Sequence, residues 1–227
     1  MRFGRACFAL LVALAAGCAG QAWVSGTLPT CGVTPGDAIA VLVPPPVPWM
    51  NYPIEGRTIR ACAEDALAET FPDLRIVPAA GIPSLGLTGG PEASRALELR
   101  EHAARLEKQL AEPAVTERLD AAAVRYVLIV SAFEYSAGGD AVSSGGFGGP
   151  AAAAYFRWTT SYDGRLFDRR SGSGYAVLDG EATGTAILMI PIPPFYIPSM
   201  EGGVACHRFQ DALVAALQGR QIAPDGN

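Results

Sequence analysis

Apolar residues run unbroken from Ala6 to Ala16, behind Arg2 and Arg5 and just ahead of Gly17-Cys18. At 11 residues the run is far too short for a retained span, since crossing a hydrocarbon core takes about 20. Charged, then apolar, then small is the order of a secretory signal. Beyond it the periodicity changes. Ala19 to Pro35 mixes small and polar residues with Pro and Gly, which predicts a tether. Asp37 to Val43 (DAIAVLV) is nearly all apolar and predicts a buried central strand. Ile59, Cys62, Ala63, Ala66 and Thr70 recur at three- and four-residue spacing, predicting a helix over 55–71 that Pro72 ends. Leu74 to Val77 predicts a short second strand, and Pro91 to Ala111 a charged helix with Glu98/His102 and Glu101/Arg105 four apart. Pro113 opens further helical turns through Ala122.

Arg125 to Tyr135 (RYVLIVSAFEY) is the clearest strand, whereas Gly138 to Pro150 is Gly-rich and reads as a loop. Tyr155 to Thr160 alternates loosely as a strand. Gly164 to Asp168 and Tyr175 to Thr185 flank the turn residues 169–174 as a β-hairpin. Cys206 to Leu217 closes the chain as an amphipathic helix with Phe209, Leu213, Ala216 and Leu217 inward. Strands alternating with helices favour parallel pairing. The expected fold is therefore α/β: a single domain whose mixed sheet has β-α-β-α-β order, followed by an antiparallel hairpin and a C-terminal helix. The expected divisions are a signal peptide over 1–17, a lipid-anchored tether over 18–35, the α/β domain over 36–220 and a disordered tail over 221–227.

Leu14-Ala15-Ala16-Gly17-Cys18 resembles the lipobox of bacterial lipoproteins. That resemblance implies acylation of Cys18, cleavage just before it and attachment to the membrane through N-terminal acyl chains. Ala19 in place of Asp points, by the same resemblance, to the outer membrane and a domain facing the periplasm. An ordinary signal peptide cut after Ala13-Leu14-Ala15 is the alternative. The Ala38–Val43 and Val127–Val130 strands, the turn Leu166-Phe167-Asp168-x-x-Ser171-Gly172 leading to Gly180-Glu181-Ala182, and the terminal helix are similar in layout to periplasmic lipoproteins of the curli-secretion and Tol N-terminal-domain type. The resemblance implies an assembly or adaptor protein with an envelope protein partner.

Removing residues 1–17 takes Arg2 and Arg5 away and moves the formal charge from −5 to −7, with Lys108 the one lysine left. No basic run exists to hold nucleic acid. Cys31, Cys62 and Cys206 follow Cys18, and an exported chain favours pairing two of them. Cys31 precedes the first predicted strand and Cys62 follows it, so roughly 20 Å of strand should separate them. Cys62–Cys206, which would join the N-terminal turns of two predicted helices, is the expected pairing, against three free buried thiols. His102 and His207 are the two histidines, and no Gly-x-Ser-x-Gly elbow accompanies either. A metal held by Cys62, Cys206 and His207 is explained better as a disulfide or as packing, so no cofactor and no metal are expected. Asp163, Asp168, Asp179 and Glu181 crowd the hairpin, which leaves an envelope hydrolase as an alternative function, although turn-capping accounts for them. Two uncharged Pro/aromatic stretches remain, 44–53 and 187–198. Their Trp49, Tyr52, Phe195 and Tyr196 are candidate anchors for a protein partner. The same stretches could instead lid the core or, over 187–197, line a lipid-carrying groove.

Overall fold

The structure is a computed structural model and describes residues 19–26, 32–44, 52–77, 108–144, 151–171, 175–190, 195–197 and 201–223. Its elements are β1 (Ala19–Gly26), β2 (Ala38–Leu42), β3 (Tyr52–Pro53), α1 (Gly56–Thr70), β4 (Arg75–Val77), α2 (Pro113–Ala121), β5 (Tyr126–Ser144), β6 (Ala151–Asp168), β7 (Ala176–Ile190), β8 (Phe195–Ile197) and α3 (Glu201–Leu217). All strands join one mixed sheet, ordered β1-β7-β6-β5-β2-β4, with β3 on β5 and β8 on β7. β2 is parallel to both β4 and β5, while β5, β6 and β7 form an antiparallel meander. This is the mixed α/β sheet that the alternation of strand and helix patterns predicts.

Alternation along β2 divides the core between the two faces of the sheet. Ile39 and Val41 join the cluster containing α1 (Ile59, Cys62, Leu67) and α3 (Phe209, Leu213, Leu217). Ala40 and Leu42 pack instead with Val115 and Leu119 of α2 and with Val127, Ile129 and Phe167.

The α3 helix approaches the sheet over glycines. A Cβ on Gly180 would lie 2.2 Å from the Phe209 backbone nitrogen and 2.7 Å from the Ala205 carbonyl oxygen, and one on Gly164 would lie 2.8 Å from the Phe209 ring. The Phe209 ring therefore sits against Gly164 and its backbone against Gly180, with the ring centroid 5.8 Å from that of Tyr162. Cys62 of α1 and Cys206 of α3 are joined by a disulfide with Cα atoms 5.9 Å apart. Beside it Gln210 Nε2 donates to the Cys62 carbonyl at 2.8 Å.

A buried ionic network ties the opposite end of the sheet. Arg125, just before β5, donates to Asp37 (2.7 Å), which precedes β2, and to Asp168 (3.1 Å), which ends β6. Burial alone would raise the Asp37 carboxyl, but hydrogen bonds from Thr34 and Arg125 outweigh it and hold the pKa below the ordinary value.

Five features depart from the sequence expectations. Residues 19–26, expected within the tether, form β1 along the free edge of β7. Their small residues suit that place: a Cβ on Gly20 would meet Val204 of α3 at 2.7 Å. Ile222, expected in the disordered tail, bridges to Val24, whose N–H donates to the Ile222 carbonyl at 2.9 Å. Residues 138–144, expected as loop, pair with β6 across a register shift between Ser136 and Gly138. Finally, α3 begins at Glu201 and not Cys206, and Thr70, expected inward on α1, is exposed. The predicted helix over 91–111 lies largely outside the described residues.

The glycine contacts make a paired prediction. Gly180→Ala must push α3 off the sheet and should lower stability by about 1–3 kcal/mol or more, read as a fall in Tm. Gly203→Ala, on the exposed first turn of α3 where a Cβ meets nothing within 4 Å, should raise stability by up to ~1 kcal/mol through helix propensity. Equal effects of the two changes would contradict the close contact.

Candidate functional site

The first turn of α3 lies over an acidic pair that the sequence pattern does not single out. Glu134 of β5 and Thr160 of β6 are directly opposed across the strands. Glu134 Oε1 and Thr160 Oγ1 each lie 4.0 Å from the place a Cβ would take on Gly202. Glu201, the first residue of α3, is only 5% exposed. Its Oε2 and the Thr160 hydroxyl make no hydrogen bond. Burial pushes the Glu134 carboxyl above the ordinary carboxylate range, and the neighbouring Glu201 charge adds to the rise. The Tyr162 hydroxyl is also raised, first by burial and then by Glu134.

Glu201 stands in the first turn of α3, where the partial positive charge of the helix N-terminus favours negative charge. The open groove among the described residues, about 530 Å³, lies elsewhere, between α1, α3 and β1. It is lined by Glu69, Arg208, Asp211 and Arg220 among others, and by neither Glu134 nor Glu201.

The residues singled out by sequence are distributed as follows. Cys62 and Cys206 are covalently joined, so neither sulfur is available to a metal. His207 Nδ1 lies 3.0 Å from Gln210 Oε1 on the exposed side of α3. Asp168 is held by Arg125, and Asp163 is ion-paired with Arg165 two residues on. Asp163 stands opposite Asp179, and Glu181 opposite Ser161. Tyr52 pairs with Glu134 on one edge of β5, whereas Phe195 and Tyr196 pair with Met189 and Leu188 on the far edge of β7. The strands β5, β6 and β7 lie between, about 19 Å at ~4.8 Å per strand, and Leu188 lies six residues along β7 from the level of Tyr52, so Tyr52 and Tyr196 are roughly 28 Å apart and do not share one patch. Cys18, Cys31, Trp49 and His102 lie outside the described residues.

No family model and no curated protein matches this chain. Among solved structures it is similar to the PelC dodecamer from Paraburkholderia phytofirmans, at 21% identity and a TM-score of 0.41, covering 88% of this chain and 99% of that one. A single-residue variant of the same dodecamer gives 20% identity, a TM-score of 0.41 and coverage of 87% and 98%. Both are distant likenesses.

The acidic pair sets a pH dependence. A carboxyl whose folded pKa is raised binds its proton more tightly in the native state, so its contribution is present at low pH and lost as pH rises through the folded value. Glu134→Gln should raise Tm by a few degrees near pH 7 and change it little near pH 4. A loss of stability at neutral pH, by thermal melt, would contradict this account.

Proposed function

We propose that this chain is a lipoprotein anchored through Cys18 to the outer membrane, facing the periplasm, which binds or assembles an envelope protein partner and catalyses no reaction of its own. The observation that carries the reading is the Cys62–Cys206 disulfide, which joins α1 to α3. Disulfides form and persist in oxidising compartments outside the cytosol, and the charged, apolar, small order of residues 2–18 is what export requires. Among the described residues, the groove between α1, α3 and β1 lies apart from the raised carboxyl of Glu134, which supports a non-catalytic role, because an active site brings a cleft and a perturbed acid together. Trp49, Tyr52, Phe195 and Tyr196 remain the proposed partner contacts, with Tyr52 and the Phe195–Tyr196 pair on different edges of the sheet.

The anchor is tested by Cys18→Ser. The variant should accumulate as uncleaved or soluble protein and lose the acyl chains from its N-terminal peptide by mass spectrometry. Unchanged mass and unchanged membrane fractionation would refute it. Recovery of one stoichiometric envelope protein with the detergent-extracted wild type, lost on Trp49→Ala or Phe195→Ala with Tm unchanged, is the expected result for the partner.

A further inference from the structure

We infer that the end of the sheet beside Cys18 is a second membrane contact, lying in the headgroup–acyl boundary of the leaflet that holds the acyl chains. This rests on the anchor proposed above and adds a protein surface to it. Ala19, the first residue of β1, stands opposite Thr183 of β7. β7 continues to Ile190, seven residues past that level, or about 23 Å at ~3.3 Å per residue. β6 accompanies it, Ala152 opposite Ile190, and β5 accompanies β6 out to Ser144 opposite Ala151. β8 then occupies the β7 edge that β1 vacates, Ile197 opposite Ile187. The chain therefore enters β1, one residue after Cys18, beside a four-stranded extension and not at its tip. With Cys18 at the lipid surface, this extension has to pass into or along the membrane.

The sequence changes at the same level. Residues 126–135, 159–168 and 176–183 contain six charged residues, Glu134, Asp163, Arg165, Asp168, Asp179 and Glu181. The segments 136–144, 151–158 and 184–190 contain two, Asp140 and Arg157, with the apolar run Ile187–Ile190 among them. One limit fixes the depth. Open strand edges are not tolerated within the hydrocarbon layer, because their backbone groups would lose all partners. The extension therefore stays in the interfacial region, where Tyr and Trp are favoured; Tyr155 and Trp158 belong to these segments.

The test uses the lipidated protein with Cys31→Ser, reconstituted into phosphatidylethanolamine/phosphatidylglycerol vesicles. It carries an environment-sensitive dye at Ser143→Cys or Ala153→Cys in the extension, or at Glu117→Cys on α2 as control. N-terminal acylation and the Cys62–Cys206 link are checked by mass on the same samples. The expected result is a blue-shifted emission at 143 and 153, quenched several-fold by lipids bearing a nitroxide on the acyl chain, and an unquenched aqueous emission at 117. Acylated protein with aqueous emission at 143 and 153 would overturn the inference and leave the anchor standing. Blue-shifted emission that nitroxide lipids do not quench would also overturn it, by placing the extension against a second copy of the chain. Absence of acylation would remove both the anchor and the inference.

Discussion

The close seat of α3 on the β6–β7 strands is the constraint on which the rest of the structure depends. A helix whose backbone nitrogen would lie 2.2 Å from a Cβ on the strand beneath it tolerates no side chain there. Gly180 thereby fixes how low the helix rides, and Phe209 fixes where along the sheet it stops. Everything attached to α3 inherits that position: Cys206 meets Cys62, Glu201 is carried down over Glu134, and Val204 closes on Gly20 of β1. A looser helix would keep its amphipathic pattern and lose all three meetings.

The other end of the sheet is organised by charge. Arg125 is almost wholly enclosed and satisfies carboxylates from the start of β2 and the end of β6, while lying 4.6 Å above the Tyr126 ring. Burial alone would weaken its proton affinity, and hydrogen bonds to Asp168 and Asp37 more than reverse this. A buried ion pair is a poor source of net stability because desolvation consumes most of the Coulomb gain. Its clearer effect here is register: sliding β5 by one residue against β2 or β6 would strand a charge, as well as turning each strand's apolar positions to the wrong face.

Much of this was legible where a pattern is local. DAIAVLV and RYVLIV declare buried strands by composition, and the spacing of Ile59, Cys62, Ala63 and Ala66 declares the α1 face that packs. What the sequence conceals is whatever depends on a partner distant in the chain. Ala19–Gly26 carries no strong strand signal and becomes a strand because β7 offers an unfilled edge. Gly138 and Gly139 look like loop residues, yet β6 supplies their backbone partners. The Glu134–Glu201 pair was hidden by an error of five residues at the start of α3, although one clue stood in view: an acid at an inward position of the otherwise apolar SAFEY segment.

The placement of β1 also bears on how the protein is made. Its partner β7 lies some 150 residues further along the chain, and the bridge from Val24 to Ile222 spans nearly the whole domain. The first strand to emerge therefore has nowhere to dock until almost everything behind it has arrived. Until β7 and Ile222 are in place, Ala19–Gly26 has no strand to pair with. Closure of β1 is thus a late step set by topology alone, with Ile222 meeting Val24 across it.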